Sequence, residues 1–113
     1  MIRKGQQLTK TEEFQALNKM GRSWASRLLI LKALPNAYQV NRHGFSVGKR
    51  VGKAVRRNHI RRRLREIVRD APLKQGWDIL IIVRTAASDS SFRDTKATAM
   101  ELLARAHLLE EDN

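Results

Sequence analysis

One stretch of this sequence, residues 48–65, limits what the chain can fold into. It reads GKRVGKAVRRNHIRRRLR and holds nine lysines and arginines, with no acid before Glu66. At 100° per residue, its apolar side chains fall on one side of a helix and its polar side chains on the other. The apolar side is Ile60, Leu64, Ile67, Val68 and Ala71, and the opposite side is Asn58, Arg61, Arg62, Arg65 and Arg69. The chain must therefore supply an apolar surface that buries one face of this helix.

The charged face of this helix is unfavourable in isolation. Like charges at i, i+4, such as Arg61 and Arg65, cost on the order of 0.2–0.5 kcal/mol per pair. An ordinary exposed helix mixes acids into such a face, and only Glu66 occurs here. The whole chain carries a formal charge of +12 on 13.0 kDa, an imbalance that a polyanion relieves. Nucleic acid is therefore the favoured partner, and an anionic membrane surface is the weaker alternative.

The glycines before this helix suggest a second interpretation, the phosphate loop of a nucleotide hydrolase. Such a loop needs four residues between its glycines and a hydroxyl residue after its lysine. Here Gly48 and Gly52 enclose three residues, and Ala54 follows Lys53. The spacing argues against a nucleotide hydrolase, although free backbone N–H groups at a helix start still attract phosphate.

The remaining segments predict a sheet on which helices pack. Thr9 begins a Ser/Thr-x-x-Glu capping box, and the helix that follows it ends at Gly21. Strand-forming residues occupy 28–34 and 40–47, with the turn PNA between them. The apolar run WDILIIV is short enough for a strand that is buried on both faces.

A last helix begins near Ser91 and Asp94. Its apolar stripe is Ala99, Leu102, Leu103 and Ala106. The segments thus predict a helix, two or three strands, the basic helix, a strand and a last helix; with three strands the order is α-β-β-β-α-β-α. This order predicts an α/β (α+β) two-layer sandwich with a single mixed sheet. A length of 113 residues suits one domain, and we expect residues 1–7 and 109–113 to be frayed.

The absence of cysteine and the short apolar runs indicate in which cellular compartment the protein is expected. The chain contains no cysteine, so disulfides and thiolate metal sites are excluded. Its longest apolar runs are too short to span a bilayer, and MIRKGQQLTK has no apolar signal-peptide core. We therefore expect a cytoplasmic protein with no membrane partner.

The order GFSVGKRVGKAVRRNHIRRRLRE resembles the signature region of the bacterial ribonuclease P protein subunit, in which a strand runs into a basic loop and then an Arg-Asn-Arg helix. The similarity extends to the Glu13-Phe14 pair, Gly21, the strand DILIIV and the closing helix. The resemblance implies a protein that assists a catalytic RNA in the Mg²⁺-dependent removal of the 5′ leader of precursor tRNA. It also implies a left-handed β-α-β crossover, although parallel units are usually right-handed.

Two sets of contact residues are implied by this resemblance. The RNA-binding residues are Lys49, Arg50, Lys53, Arg56, Arg57, Asn58, His59, Arg61, Arg62, Arg65 and Arg69. The residues of the 5′-leader cleft are Phe14, Asn18, Ile30 and Lys32. Residues 1–113 would form a single RNA-binding domain whose partners are the ribonuclease P RNA and precursor tRNA, with no obligate protein partner.

The sequence departs from the family pattern at three of these positions. His59 stands where the family has the second arginine of Arg-Asn-Arg, so it can keep a hydrogen bond but not a permanent charge at pH 7. Asn18 and Lys32 stand where many members have aromatics. Leader binding is therefore expected to depend more on charge than on base stacking.

No group of residues in the sequence forms a recognisable catalytic centre. Most of the eleven acids lie towards the two ends of the chain, and clustered carboxylates would be needed to hold Mg²⁺. His43, His59 and His107 are interpreted as surface or partner-contact residues. We expect no catalytic residue and no tightly bound metal in the protein, and the resemblance implies that the RNA subunit and substrate hold Mg²⁺.

Two other functions remain open from the sequence. A structural RNA-binding protein of the ribosomal type would share the charge and the sandwich fold. A DNA-binding helix-turn-helix is less favoured, because strands rather than a partner helix flank the basic helix. Two interpretations stay open for Arg22, Arg27 and Arg42, which are either secondary phosphate contacts or solvated charges at strand ends.

Overall fold

The computed structural model describes residues 7–110 and has the predicted order of helices and strands. The elements are α1 (Thr11–Met20), β1 (Arg22–Ala25), β2 (Leu29–Pro35), β3 (Arg42–Val47), α2 (Ala54–Asp70), β4 (Trp77–Val83) and α3 (Phe92–Arg105). Short 3₁₀ turns lie at Lys49–Val51 and Thr85–Asp89. The α+β class is confirmed, with three strands before the basic helix.

The four strands form one mixed sheet in the order β1-β2-β4-β3. Strand β2 is antiparallel to both β1 and β4, whereas β3 is parallel to β4. The last strand in sequence is therefore an inner strand, which explains why WDILIIV is apolar on both faces. The strands β2 and β3 are consecutive in sequence but do not pair, since β4 lies between them. The parallel pair is joined through α2, and the hand of this connection stays a prediction.

The main core lies between the sheet and the helices α2 and α3. Alternate residues of β2 and β4 point into it, including Leu29, Leu31, Ile79 and Ile81. The predicted apolar side of α2 is confirmed: Ile60, Leu64, Ile67 and Val68 are buried, and Ala71 packs at the edge. The predicted α3 stripe of Ala99, Leu102, Leu103 and Ala106 is buried as well. These layers form the predicted packing of helices on a single mixed sheet.

The helix α1 packs on the opposite face of the sheet, so helices lie on both faces. Its one fully buried residue, Leu17, joins Leu8 and Leu80 in a small second core. The predicted capping box was wrong by one residue. Lys10 is the N-cap, and a carboxylate oxygen of Glu13 accepts from the N–H groups of Thr9 and Lys10, at 3.0 and 2.8 Å.

The predicted fraying was wrong at the innermost residues of both ends. Gln7 forms a β-bridge with His43, and Leu109 forms one with Leu73. The N–H of Glu110 donates to the carbonyl of Pro72 at 2.7 Å. The other residues predicted to fray, 1–6 and 111–113, lie outside the described residues. Within residues 7–110, no helix is long and apolar enough to cross a membrane.

Candidate RNA-binding site

The basic loop before α2, residues 48–53, is held in place by one apolar residue. Val51 is buried at the end of the 3₁₀ turn, and its N–H donates to the carbonyl of Gly48 at 3.1 Å. Lys49, Arg50 and Lys53 are exposed on either side of it. Burial of Val51 therefore anchors the loop while its cations face solvent.

The start of α2 offers unpaired backbone donors. Its N-cap residue, Lys53, makes no side-chain capping bond, and its first turn contains no acid. The first N–H groups of a helix have no partner within the helix, and the helix dipole adds partial positive charge there. Together with the cations of the loop, this helix start attracts phosphate.

The outer face of α2 is a shallow groove that collects most of the predicted RNA-binding residues of the helix. The residues that line it are Lys53, Val55, Arg56, Asn58, His59, Arg62 and Arg65. Val55 is 83% exposed in the middle of these polar groups. The predicted residues Arg62 and Arg65 are exposed and make no hydrogen bond or ion pair with residues 7–110, so their guanidinium groups are available to an anion.

The other arginines of α2 are partly engaged by the protein. Arg56 donates to the carbonyl of Ser88 at 2.8 Å, and Arg63 stacks over Phe92. Other contacts are made by Arg61, which donates to Asn58 at 3.0 Å, and by Arg69, which pairs with the adjacent Asp70 at 3.0 Å. Arg57 is half-buried, and its Nε has no partner in the described part of the chain. Fewer arginines of α2 are therefore free of contacts with the described residues than the basic sequence of this helix suggests.

The predicted cleft residues lie on α1 and on the sheet face beneath it. Lys32 on β2 donates to Asn18 on α1 at 2.8 Å, so these two residues bridge helix and sheet. Beyond this bridge, Ile30, Ile82 and Ser46 lie side by side on three neighbouring strands. The two isoleucines are half-buried and Ser46 is exposed, which leaves a strip of sheet beside α1 open to a ligand.

Phe14 lies at the other side of α1, over the outer strand β3. Its ring packs so closely on Gly44 that a Cβ at this glycine would lie 2.9 Å from Cε1 of Phe14. A pocket of about 190 Å³ opens here along the edge of β3. We call it the edge pocket, and its lining residues are Gln7, Leu8, Phe14, His43, Gly44, Phe45, Arg61 and Arg65. The edge pocket brings Phe14, a predicted cleft residue, together with Arg61 and Arg65, two predicted RNA-binding residues.

Two residues near the edge pocket differ from their predicted roles. His43, predicted at the surface, is 7% exposed, and neither ring nitrogen has a hydrogen-bond partner in the described residues. Burial lowers the pKa of His43 to about 4, and the nearby Asp78 only partly opposes this shift. Arg42, predicted as a secondary phosphate contact, instead pairs with Glu13 and Asp78. The alternation of side chains along β3 did not indicate either role. Burial of His43 and ion pairing of Arg42 both depend on which elements cover the strand.

The acids do not assemble a metal site within residues 7–110, where no group of three or more potential ligands occurs. The two partly buried carboxylates beside β3, Glu13 and Asp78, are both occupied by the guanidinium of Arg42.

Comparison with known proteins identifies the family. The family model for Ribonuclease P matches residues 2–107. The chain belongs to the ribonuclease P protein family. A ribonuclease P protein component from Dehalococcoides mccartyi is 39% identical over 106 residues, which cover 94% of this chain and 88% of that relative.

Solved structures of ribonuclease P proteins share the fold. The RNase P protein of Staphylococcus aureus is 30% identical and superposes with a TM-score of 0.86 over 93% of this chain and 98% of that one. The RNase P protein of Thermotoga maritima is 28% identical, with a TM-score of 0.80 over 88% of this chain and 96% of that one. The resemblance found in the sequence is thereby confirmed, and membership of the ribonuclease P family does not favour the ribosomal alternative.

Proposed function

We propose that this chain is the protein component of a ribonuclease P ribonucleoprotein and assists removal of the 5′ leader from precursor tRNA. The outer face of α2 and the basic loop bind the catalytic RNA subunit. The edge pocket and the strip of sheet beside α1 bind the leader. The observation that carries this proposal is the edge pocket, in which an aromatic ring and two arginines of α2 meet.

Electrostatics explains why such a protein helps an RNA catalyst. The RNA subunit and precursor tRNA are both polyanions, and they repel each other on approach. A chain with a formal charge of +12 lowers this repulsion and releases condensed counterions. Because Arg65 lines both the groove on the outer face of α2 and the edge pocket, the two RNAs would meet on the same side of the protein.

The edge pocket suits an unpaired nucleotide. The ring of Phe14 offers a stacking surface for a base, and Arg61 and Arg65 supply charge for its phosphate. Farther along α1, the Asn18–Lys32 pair provides polar groups where many family members have aromatics. The leader would therefore stack at Phe14 and otherwise be held through its backbone.

The chemistry is assigned to the RNA subunit. Phosphodiester hydrolysis assisted by Mg²⁺ requires hard oxygen ligands for the metal, and the carboxylates beside the edge pocket are engaged by Arg42. In this proposal the protein positions the substrate, and Mg²⁺ is held by the RNA subunit and the substrate.

Reconstitution tests the proposed function. Purified protein is added to the ribonuclease P RNA, and cleavage of precursor tRNA is measured over a magnesium titration. We expect the protein to lower the magnesium concentration that supports half-maximal cleavage, and we expect RNA-free protein to be inactive. Magnesium-dependent cleavage by RNA-free protein, or an unchanged magnesium requirement with RNA present, contradicts the proposal.

A further inference from the structure

Arg42 is the centre of a partly buried ion network. Its Nε donates to one carboxylate oxygen of Asp78 at 2.8 Å, and its Nη2 donates to the other at 2.5 Å. Its remaining nitrogen, Nη1, donates to Glu13. The side chains of Arg42, Glu13 and Asp78 are 18%, 13% and 7% exposed. The planar guanidinium thus binds Asp78 through two parallel hydrogen bonds while it also binds Glu13, and a lysine cannot reproduce this bidentate geometry.

The network joins three separate parts of the fold. Glu13 belongs to α1, Arg42 begins the outer strand β3, and Asp78 lies on the inner strand β4. Asn36, from the connection between β2 and β3, also donates to Asp78 at 2.9 Å. The ring of Tyr38 from the same connection lies 4.7 Å from the guanidinium carbon.

Glu13 uses both of its carboxylate oxygens. One oxygen accepts the N–H groups of Thr9 and Lys10 at the start of α1, and the other accepts from Arg42. The bond from the N–H of Lys10 is the largest cause that lowers the pKa of Glu13. Glu13 therefore caps α1 and also attaches the capped end to the sheet.

This attachment is important because α1 has few apolar contacts. Leu17 is its only fully buried residue, and a ten-residue helix is marginal without tertiary support. Phe14 directly follows Glu13 in α1, so a rotation of the helix that breaks the Glu13–Arg42 bond also moves the ring of Phe14 off Gly44.

We propose that Arg42 is a positioning residue, which fixes α1 so that Phe14 stands in the edge pocket and receives the leader. Arg42 itself does not contact RNA in this account. The network of one guanidinium and two carboxylates has a net negative charge, which repels phosphate. The inference rests on the proposed function, in which Phe14 contacts the leader.

Glu13→Gln tests this role. The glutamine carbonyl can still accept the capping N–H groups, but its amide nitrogen cannot accept from Arg42. The matched control is Glu12→Gln, which changes the charge equally at an exposed position of the same helix. Reconstituted holoenzyme is used to measure the affinity for precursor tRNA and for mature tRNA, which lacks the leader, and thermal melting of the protein reports folding.

We expect Glu13→Gln to weaken precursor tRNA binding by about three- to ten-fold, with mature tRNA binding unchanged. Glu12→Gln should leave both affinities unchanged. In combination with Phe14→Ala, the change at Glu13 should have little further effect, because the ring it positions is gone. Equal losses for both tRNAs, or full additivity with Phe14→Ala, would overturn the positioning role.

A second variant and the Phe14→Ala single mutant keep the two proposals separate. Arg42→Lys keeps the positive charge but loses the paired hydrogen bonds to Asp78. It should therefore reproduce the selective loss in precursor tRNA binding. If Phe14→Ala alone leaves precursor binding unchanged, the proposed leader site is wrong. If Phe14→Ala weakens it while Glu13→Gln and Arg42→Lys do not, only the positioning role is wrong.

Discussion

At the scale of single residues, His43 is the main departure from what the sequence suggests. It is buried on the outer strand beside Arg61 and Arg65, which line the same pocket. A neutral imidazole fits this place better than a charged one, since burial is the largest cause of its lowered pKa. Protonation of this side chain should therefore oppose folding.

The stability of the protein should decrease in mild acid because of His43. Its pKa is lowered from 6.5 to about 4 in the folded state, so the unfolded chain takes up the proton first as pH falls. Stability is fully present above about pH 6.5 and is lost towards pH 4, by roughly 3 kcal/mol in all. In His43→Leu this loss should be absent. Urea denaturation from pH 7.5 to 4 checks it, and parallel pH profiles for the two proteins would contradict it.

His107 occupies a backbone conformation that favours glycine. Its φ is 58°, and it follows Ala106, the C-cap residue of α3. The N–H of His107 donates to the carbonyl of Ala104, and that of Leu108 donates to the carbonyl of Leu103, each at 3.0 Å. With Leu103 and Leu108 both buried, this is a Schellman cap with histidine at its left-handed position.

We expect His107→Gly to raise the free energy of unfolding by about 0.5–1 kcal/mol, since the left-handed conformation is strained for a side chain with a Cβ. His107→Val should lower it, because a branched Cβ fits this conformation poorly. Equilibrium urea denaturation at neutral pH measures both. A less stable glycine variant would show that the histidine side chain makes a contribution of its own.

The ion pairing of Arg42 and the burial of His43 could not be predicted from the sequence, for a physical reason. Both lie on β3, where alternation shows that neighbours face opposite sides of the sheet but not what covers each side. The ion network of Arg42 depends on α1 packing over one end of the sheet. Burial of His43 depends on α2 crossing the other face.

At the scale of helices and strands, the sequence was a better guide where one segment determines its own structure. The buried and exposed sides of α2 followed from the spacing of its apolar residues. Ser91 was correctly predicted as the start of α3, and its hydroxyl accepts the N–H of Asp94 at 3.1 Å. Strand pairing was not predictable in this way, because the position of β4 between β2 and β3 depends on the crossover through α2.

The helix α2 also contains one of the three positions at which the chain departs from the family pattern. His59 is half-buried in the groove that Val55 and Arg62 line. If this position faces a phosphate, His59→Arg should tighten binding to the RNA subunit by about two- to ten-fold, since it adds a permanent charge. Filter binding at fixed salt measures the effect. Gln39→Arg, which adds the same charge at an exposed loop position, should change the affinity little. Equal effects of the two variants would contradict a specific phosphate contact at residue 59.

At the scale of the whole molecule, the charge of +12 should make RNA binding strongly dependent on salt. If roughly six to eight phosphates are neutralised, the slope of log affinity against log salt concentration should be about −4 to −7. A slope of this size shows the strength of the electrostatic contribution but not where on the protein it acts.

The central claim is that the outer face of α2, and not net charge alone, binds the RNA subunit. It is tested by measuring RNA-subunit affinity over a salt series for two double variants of equal charge. Arg62→Gln with Arg65→Gln removes two exposed cations from α2, and Arg93→Gln with Lys96→Gln removes two exposed cations from α3. We predict that the α2 variant binds at least about ten-fold more weakly, with a slope shallower by about 1 to 2, whereas the α3 variant resembles wild type. Equal losses of affinity in the two variants would contradict the claim.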